Sequence, residues 1–170
     1  FPTGILDPGS VVLDVREAAF FDIGENNILS VQGFAVEEAP DIVLPVPQNA
    51  SIDFNDGTLI LQSSETIDSS PTSLINASKF ELTDTNSPGR ISLTGATVIQ
   101  DDEVTLTIII TEEQRAQAMS LSGTPGGDGT AIQLSVLAGG MRDIGQNSNA
   151  RSDGIPVVET ADTTPPNVLS

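Results

Sequence analysis

The sequence contains no cysteine, no histidine, no tryptophan and no tyrosine. Without cysteine, the chain has no disulfide, no thiol nucleophile and no thiolate zinc site. Without histidine, it lacks the side chain that most often serves as general base or metal ligand. These absences exclude most catalytic constellations. We therefore expect that the protein is not an enzyme and that it requires no cofactor.

Basic residues are also scarce, with 6 Lys and Arg against 24 Asp and Glu and a net charge of −18. Such a surface repels nucleic acid, which is not an expected partner. No apolar run has the length of a membrane span, so we expect no membrane insertion. The acidic surface favours either simple solvation or a specific role for divalent cations, and the composition leaves both open.

The core is expected to be aliphatic, because the aromatic residues are only six phenylalanines. Val, Ile and Leu favour strands. Apolar and polar residues alternate with the two-residue period of a strand in several segments, which predicts an all-β fold. The apolar positions of these predicted strands are Ile52 and Phe54, Leu59 and Leu61, Phe80 and Leu82, Ile91 and Leu93, Ala96 and Val98, Val104, Leu106, Ile108 and Ile110, Ile132, Leu134 and Val136, and Ile155, Val157 and Val158.

One short helix is predicted near residues 112–119. Thr111 and Gln114 have the spacing of a capping box, and Gly123 and Pro125 follow the segment as stop signals. We expect Ala116 and Met119 to face the end of the sandwich.

An internal repeat determines the organisation of the chain. A shift of 121 residues lays residues 1–49 over residues 122–170 without a gap. Roughly three or four identities would arise by chance from ordinary composition. The alignment has thirteen, at Thr3, Asp7, Leu13, Val15, Asp22, Ile23, Gly24, Asn26, Gly33, Val36, Glu38, Asp41 and Pro45.

The repeat predicts the domain organisation. Residues 1–44 are expected to be the C-terminal strands of a preceding or partner-completed unit, and residues 45–161 a complete unit. An immunoglobulin-like sandwich needs about 100 residues, which suits this period. Residues 162–170, with Pro165 and Pro166, are expected to link to a next unit in an extended form.

Three motifs in order resemble a known family. They are Asp56-Gly57-Thr58-Leu59-Ile60-Leu61 followed by Ser64–Asp68, then Arg142–Asn147, then Asp162–Pro166. They are similar to bacterial-type immunoglobulin-like (Big-like) tandem repeats of large extracellular surface proteins, adhesins and algal or protist appendage proteins. The resemblance implies an immunoglobulin-like Greek-key β-sandwich at the cell surface that spaces, stiffens or adheres, with no reaction attached.

Calcium is the candidate metal, because hard divalent cations bind carboxylate, amide and carbonyl oxygens. Asp22 with Asn26, and Asp143 with Asn147, have a spacing that one loop can bring together. Asp41 and Asp162 lie at the unit junctions, where an ion would lock neighbouring units. The alternative is that Asp143 only caps a turn through its own backbone, with Asn147 in the left-handed region.

Two sequons are candidate sites for covalent glycans. Asn49 and Asn76 each begin an Asn-Ala-Ser triplet, which has the form of an N-glycosylation site.

The N-terminal segment is expected to need a partner. Val11, Leu13 and Val15, with Phe20, Phe21 and Ile23 beside them, would expose an apolar face and open strand edges. Upstream strands of a tandem chain or a neighbouring copy, through strand addition, could cover that face. Both alternatives predict a structural subunit of an extracellular filament or appendage. An adhesive or carbohydrate-binding surface module is the alternative, although saccharide sites usually display Trp or Tyr, which this chain lacks.

Overall fold

The computed structural model describes residues 11–85 and 89–165, and the chain forms two compact units, Phe1–Pro40 and Asp41–Ser170. The first unit contains strands β1 (Val12–Val15) and β2 (Val31–Ala35). The second contains β3 (Pro47–Asp53), β4 (Thr58–Ser63), β5 (Phe80–Thr83), β6 (Arg90–Ser92), β7 (Thr97–Val98), β8 (Thr105–Ile109), helix α1 (Glu112–Ser120), β9 (Gln133–Val136) and β10 (Ser152–Thr160), with two short 3₁₀ turns before β5.

The second unit is a β-sandwich whose two sheets share the long strand β10. One sheet has the order β6-β5-β9-β10, and the other continues as β10-β3-β4-β8-β7. The first half of β10 runs antiparallel to β9, and its second half, Val157–Thr160, runs parallel to β3. A bulge at Gly154, whose φ is +70°, lies in the first half of the strand. The last strand of the unit, β10, therefore belongs to both sheets and pairs with the first strand of the unit, β3.

The core lies between the two sheets and is aliphatic, as the composition predicts. Alternate residues of each strand point inward, because the side-chain period of a strand is two. The largest fully buried side chains are Phe54, Phe80, Ile52, Leu59, Leu61, Ile67, Leu82, Leu93, Leu106, Ile108, Ile132 and Leu134. The predicted fold class, an all-β sandwich with one short helix, is confirmed.

Two predicted core positions are wrong. Val158 is exposed, because Ile155 and Val157 already occupy the inward positions of β10 and the next residue must point outward. Val104 is also exposed and precedes β8, which begins one residue later.

The capping box at the start of α1 is confirmed. The Thr111 hydroxyl accepts from the Gln114 backbone N–H, and the Gln114 side chain accepts from the Thr111 backbone N–H. The Gln114 amide also donates to the carbonyl oxygens of Ser92 and Thr94, each at 2.9 Å. The prediction for Ala116 is wrong: Gln114 and Ala118, one turn apart, form the buried face of the helix.

Within the described residues, the structure has no helix that is long and apolar enough to cross a membrane.

We predict that Gln114→Ala lowers the free energy of unfolding by about 2 kcal/mol, because it removes half of the capping box and leaves two backbone carbonyls unpaired. Chemical denaturation of the whole chain measures this change. The matched control is Gln117→Ala on the exposed side of the same helix, with an expected change below about 0.5 kcal/mol. Equal effects of the two substitutions would contradict the role given to Gln114.

Candidate functional site

The N-terminal ribbon, residues 11–39, is a structural copy of the end of the second unit. Strands β1 and β2 pair antiparallel with a register shift before Val15, and β9 and β10 pair antiparallel with a shift at the corresponding place. Each residue pair between β1 and β2 becomes a residue pair between β9 and β10 when 121 is added to both numbers. Val12↔Ala35 thus corresponds to Gln133↔Pro156, Leu13↔Phe34 to Leu134↔Ile155, and Val15↔Val31 to Val136↔Ser152.

Hydrogen bonds at the edge of the ribbon are repeated as well. The Val11 backbone N–H donates to Glu38 at 2.6 Å, and the Ile132 backbone N–H donates to Glu159 at 2.6 Å. Gly33, which corresponds to Gly154, has a φ of +66°. The sequence repeat is thus a repeat of backbone conformation.

The loop between the paired strands is also the same in both units. Asp22 Oδ1 accepts from the Asn26 backbone N–H at 3.0 Å, and Asp143 Oδ1 accepts from the Asn147 backbone N–H at 2.8 Å. The left-handed residue is the one before each asparagine, with φ of +63° at Glu25 and +69° at Gln146. The turn-capping interpretation is therefore right for Asp143 but has the wrong left-handed residue, which is Gln146 and not Asn147.

The two copies differ in what covers their apolar face. Leu13 is 50% exposed and Leu134 is 0% exposed; Phe34 is 60% exposed and Ile155 is 5% exposed. In the first unit these positions line an open apolar groove, formed by Leu13, Val15, Phe20, Ile28, Val31 and Phe34. Extended apolar surface is uncommon on monomeric soluble domains, which makes this groove a candidate interaction surface.

The two copies also differ in their strand edges. Strand β9 pairs with β5 on one side and β10 on the other, and residues 157–160 pair with β3. Among the described residues, β1 pairs only with β2, and residues 36–39 belong to no strand. The ribbon therefore lacks two strand pairings that its counterpart has, one along β1 and one along residues 36–39.

A second feature is an acidic cluster at the start of the second unit. One carboxylate oxygen each of Asp41, Glu65 and Asp143 lies within 4.8 Å of the others. Asp143 is buried, and Glu65 Oε1 is buried with no hydrogen-bond partner among the described residues. Asn147 donates to the Asp41 carbonyl oxygen at 3.3 Å and to Asp143 Oδ2 at 3.0 Å. Gly145 permits this approach, since a Cβ there would lie 2.8 Å from the Asp41 Cβ.

The environment of the cluster shifts the pKa of Glu65. Burial raises the pKa of the Glu65 carboxyl above its ordinary value of 4.5, and the neighbouring charges of Asp143 and Asp41 raise it further. This arrangement disfavours a third negative charge, so either a proton or a cation would stabilise it.

The cluster contains some of the predicted metal ligands but not all. Asp41, Asp143 and Asn147 come together, and Glu65 is a member that the sequence analysis missed. Glu65 follows β4, and Asp143 lies in the loop between β9 and β10; the isolated bridge Ile67↔Asp143 brings the two segments together. No local spacing in the sequence signals that contact.

The remaining predicted ligands lie elsewhere. Asp22 and Asn26 bond each other in the ribbon loop, and the hydrogen bond from the Asn26 backbone lowers the pKa of Asp22. Asp162 accepts from the Thr164 backbone N–H, which lowers its pKa, and it forms an ion pair with Arg115 at 3.0 Å. Calcium binding at any of these positions stays a prediction. Among residues 11–85 and 89–165, the acidic group close enough to hold an ion together is the cluster.

The two sequons lie on exposed positions of the second unit. Asn49 lies in β3. Asn76 precedes a 3₁₀ turn, where its Oδ1 accepts from the Ser78 hydroxyl at 2.6 Å. Glycosylation at both stays a prediction.

No protein-family model matches the chain, and no curated protein sequence matches it. Among solved structures, the chain is similar to the N-terminal part of the bacterial S-layer protein SbsC, with 12% sequence identity and a TM-score of 0.44. The similarity covers 74% of this chain and 25% of that one. The resemblance to Big-like repeats is not tested by these comparisons and stays a prediction.

We predict that Glu65→Gln stabilises the protein in chelator at neutral pH. A carboxyl whose pKa is raised by folding binds its proton more tightly in the folded chain, so folding loses stability as pH rises from 4.5 through the folded pKa. The neutral amide removes that loss. Thermal unfolding from about pH 5 to about pH 8 should show a gain for the variant that grows with pH. A gain that is constant with pH would contradict the electrostatic explanation.

If the cluster binds calcium, the same substitution should have the opposite effect in the presence of the ion. Calcium should raise the melting temperature of the natural chain, because an ion that binds only the folded state stabilises it. Glu65→Gln should remove most of that increase. Glu113 is an exposed carboxylate on α1, and Glu113→Gln is the control that should keep the increase in melting temperature. An equal calcium response in all three proteins would reject the site.

We also predict that Gln146→Gly stabilises the second unit by about 0.5–1 kcal/mol, because glycine adopts positive φ without the steric cost of a Cβ. Gln146→Ala keeps the Cβ and should leave the stability nearly unchanged. Urea denaturation of the two variants gives the comparison, and a destabilised glycine variant would contradict it.

Proposed function

We propose that this chain is a segment of an extracellular structural protein in which immunoglobulin-like units follow one another in tandem as a filament or appendage. The observation that carries the proposal is the ribbon, which repeats the strand register, the loop hydrogen bonds and the positive-φ positions of the second unit after 121 residues. A chain that contains the end of one unit and then a whole unit of the same kind has the organisation of an array.

The exit of the second unit supports a stiff connection rather than a loose one. Beyond β10, the Thr163 backbone N–H donates to Asn55 Oδ1 at 2.9 Å, and the Asn55 amide donates to the Ala161 carbonyl oxygen at 3.1 Å. Arg115 holds Asp162 by an ion pair. These contacts fix the direction in which the chain leaves the sandwich. The predicted linker continues to residue 170, and residues 166–170 lie outside the described residues.

The junction segments of the two units share one local conformation. Asp41 Oδ1 accepts from the Val43 backbone N–H at 3.0 Å, and Asp162, 121 residues later, accepts from the Thr164 backbone N–H at 2.9 Å. A repeated junction is what a regular array requires, since each unit must leave its neighbour in the same direction.

A role in spacing or stiffening also suits the surface. The net charge of −18 keeps a long polymer soluble and discourages lateral association. The absence of histidine and cysteine favours this role over a catalytic one.

Force spectroscopy of the native protein tests the proposal. A tandem array should give a sawtooth of unfolding events whose contour-length increment corresponds to 121 residues, or about 40 nm at the reach of an extended chain. Electron micrographs of the same preparation should show rods. A native protein with one unit and no repeated increment would contradict an array.

A glycan array separates this proposal from the adhesive or carbohydrate-binding alternative. We expect no saccharide to bind, because the chain has neither Trp nor Tyr to form a stacking platform. Specific binding of one saccharide class would favour the adhesive module.

A further inference from the structure

We infer that the ribbon is the receptor for one defined occupant: a further strand set equivalent to residues 41–131, carried N-terminal to Val11, which completes the first unit as residues 41–131 complete the second. The inference rests on the proposed tandem organisation. It adds the identity of the partner, the register of each new strand pair and the source of the strands.

The register follows from the second unit. There, β5 pairs with β9 as Phe80↔Val136, Glu81↔Ser135, Leu82↔Leu134 and Thr83↔Gln133. A shift of 121 residues places a β5-type strand antiparallel to β1, on the edge that β2 leaves open, with its equivalents of Phe80 and Glu81 opposite Val15 and Asp14.

The second open segment takes a parallel strand. In the second unit, Val157 and Val158 pair with Ala50 and Ser51 of β3, and the pairing continues to Thr160. The same shift places a β3-type strand parallel to residues 36–39. Both open edges of the ribbon are thereby satisfied by one strand set.

The apolar face is complementary to the same occupant. The side chains that cover Leu134 and Ile155 belong to a core that includes Phe54, Leu61 and Phe80. Leu13 and Phe34 occupy the corresponding positions in the ribbon and are exposed. A strand set with the core residues of 41–131 would bury them, which gives the hydrophobic driving force for completion.

A second copy of this chain is a poorer occupant. Its β5 is already paired on both edges, with β6 and β9, and its β3 is paired with β10 and β4. It could offer those edges only by releasing its own β9 and β10, which would expose as much apolar surface as the ribbon buries. The exchange therefore has no net hydrophobic gain. An upstream strand set that lacks its own counterparts of β9 and β10 would not have to release any paired strand.

The test is a fused chain in which residues 41–131 replace residues 1–10 and so precede Val11 directly, because Val11 is the counterpart of Ile132. Hydrogen exchange of the β1 amides should slow by about two orders of magnitude relative to the unfused chain, as expected when an exposed edge enters a cooperative sheet. The fluorescence of a hydrophobic dye should fall. Amides of β9 in the second unit are the internal reference for correct folding.

Two leucines provide a matched pair of substitutions in the fused chain. Leu13→Asp should abolish the protection, because its counterpart Leu134 is fully buried. Leu29→Asp should preserve it, because the counterpart of Leu29 is the exposed Ala150. Equal effects of the two substitutions would overturn the inference.

Disulfide trapping tests the register without relying on stability. Because the chain has no cysteine, Glu81→Cys in the added strand set and Asp14→Cys in the ribbon form a unique pair. We expect this pair to oxidise rapidly, and the pair of Glu81→Cys with Leu29→Cys to stay reduced. Equal oxidation of both pairs, or of neither, would reject the proposed register.

The outcomes distinguish this inference from the proposed function. Unchanged β1 exchange in a fused chain whose reference amides are protected would overturn the inference and leave the array proposal intact. A dimer of the unfused chain with protected β1 amides, seen by analytical ultracentrifugation and exchange, would make a second copy the occupant. A completed first unit together with a native protein that lacks repeated unfolding increments would overturn only the array.

Discussion

The structure depends on the burial of one apolar face, formed by β9 and the first half of β10, against the remaining strands of the sandwich. In the second unit this face is covered and Leu134 has no exposed surface. In the ribbon the same backbone, with the same register, presents Leu13 and Phe34 to solvent. The chain therefore contains the same strand pair twice, once with its apolar face buried and once with that face exposed.

That comparison supports the structural role proposed above. The apolar groove of the ribbon, together with its open strand edges, is an unpartnered surface that further strands could cover. Such edges are avoided in isolated domains because they recruit other strands. In an array, each such face belongs to a unit that is completed by its own earlier strands.

The acidic cluster adds an electrostatic constraint at the first residues of the second unit. Asp41, Glu65 and Asp143 come from three separate segments, and Gly145 lets the loop approach Asp41 closely. One member, Asp143, lies on the loop whose turn is repeated at Asp22, but the described part of the first unit has no comparable group of carboxylates. The turn therefore belongs to the repeat, and the cluster depends on the strands that surround it.

Sequence alone determined the features that local periodicity and short-range hydrogen bonding control: the strands, the capped helix and the 121-residue repeat. It placed Asp143 and Asn147 together because four residues of one loop connect them. Tertiary structure decided that Val158 points outward, that Gln114 anchors the helix, and that Glu65 joins Asp143. Those contacts depend on which strands become neighbours, and a linear pattern does not contain that information because distant segments meet only through pairing and burial.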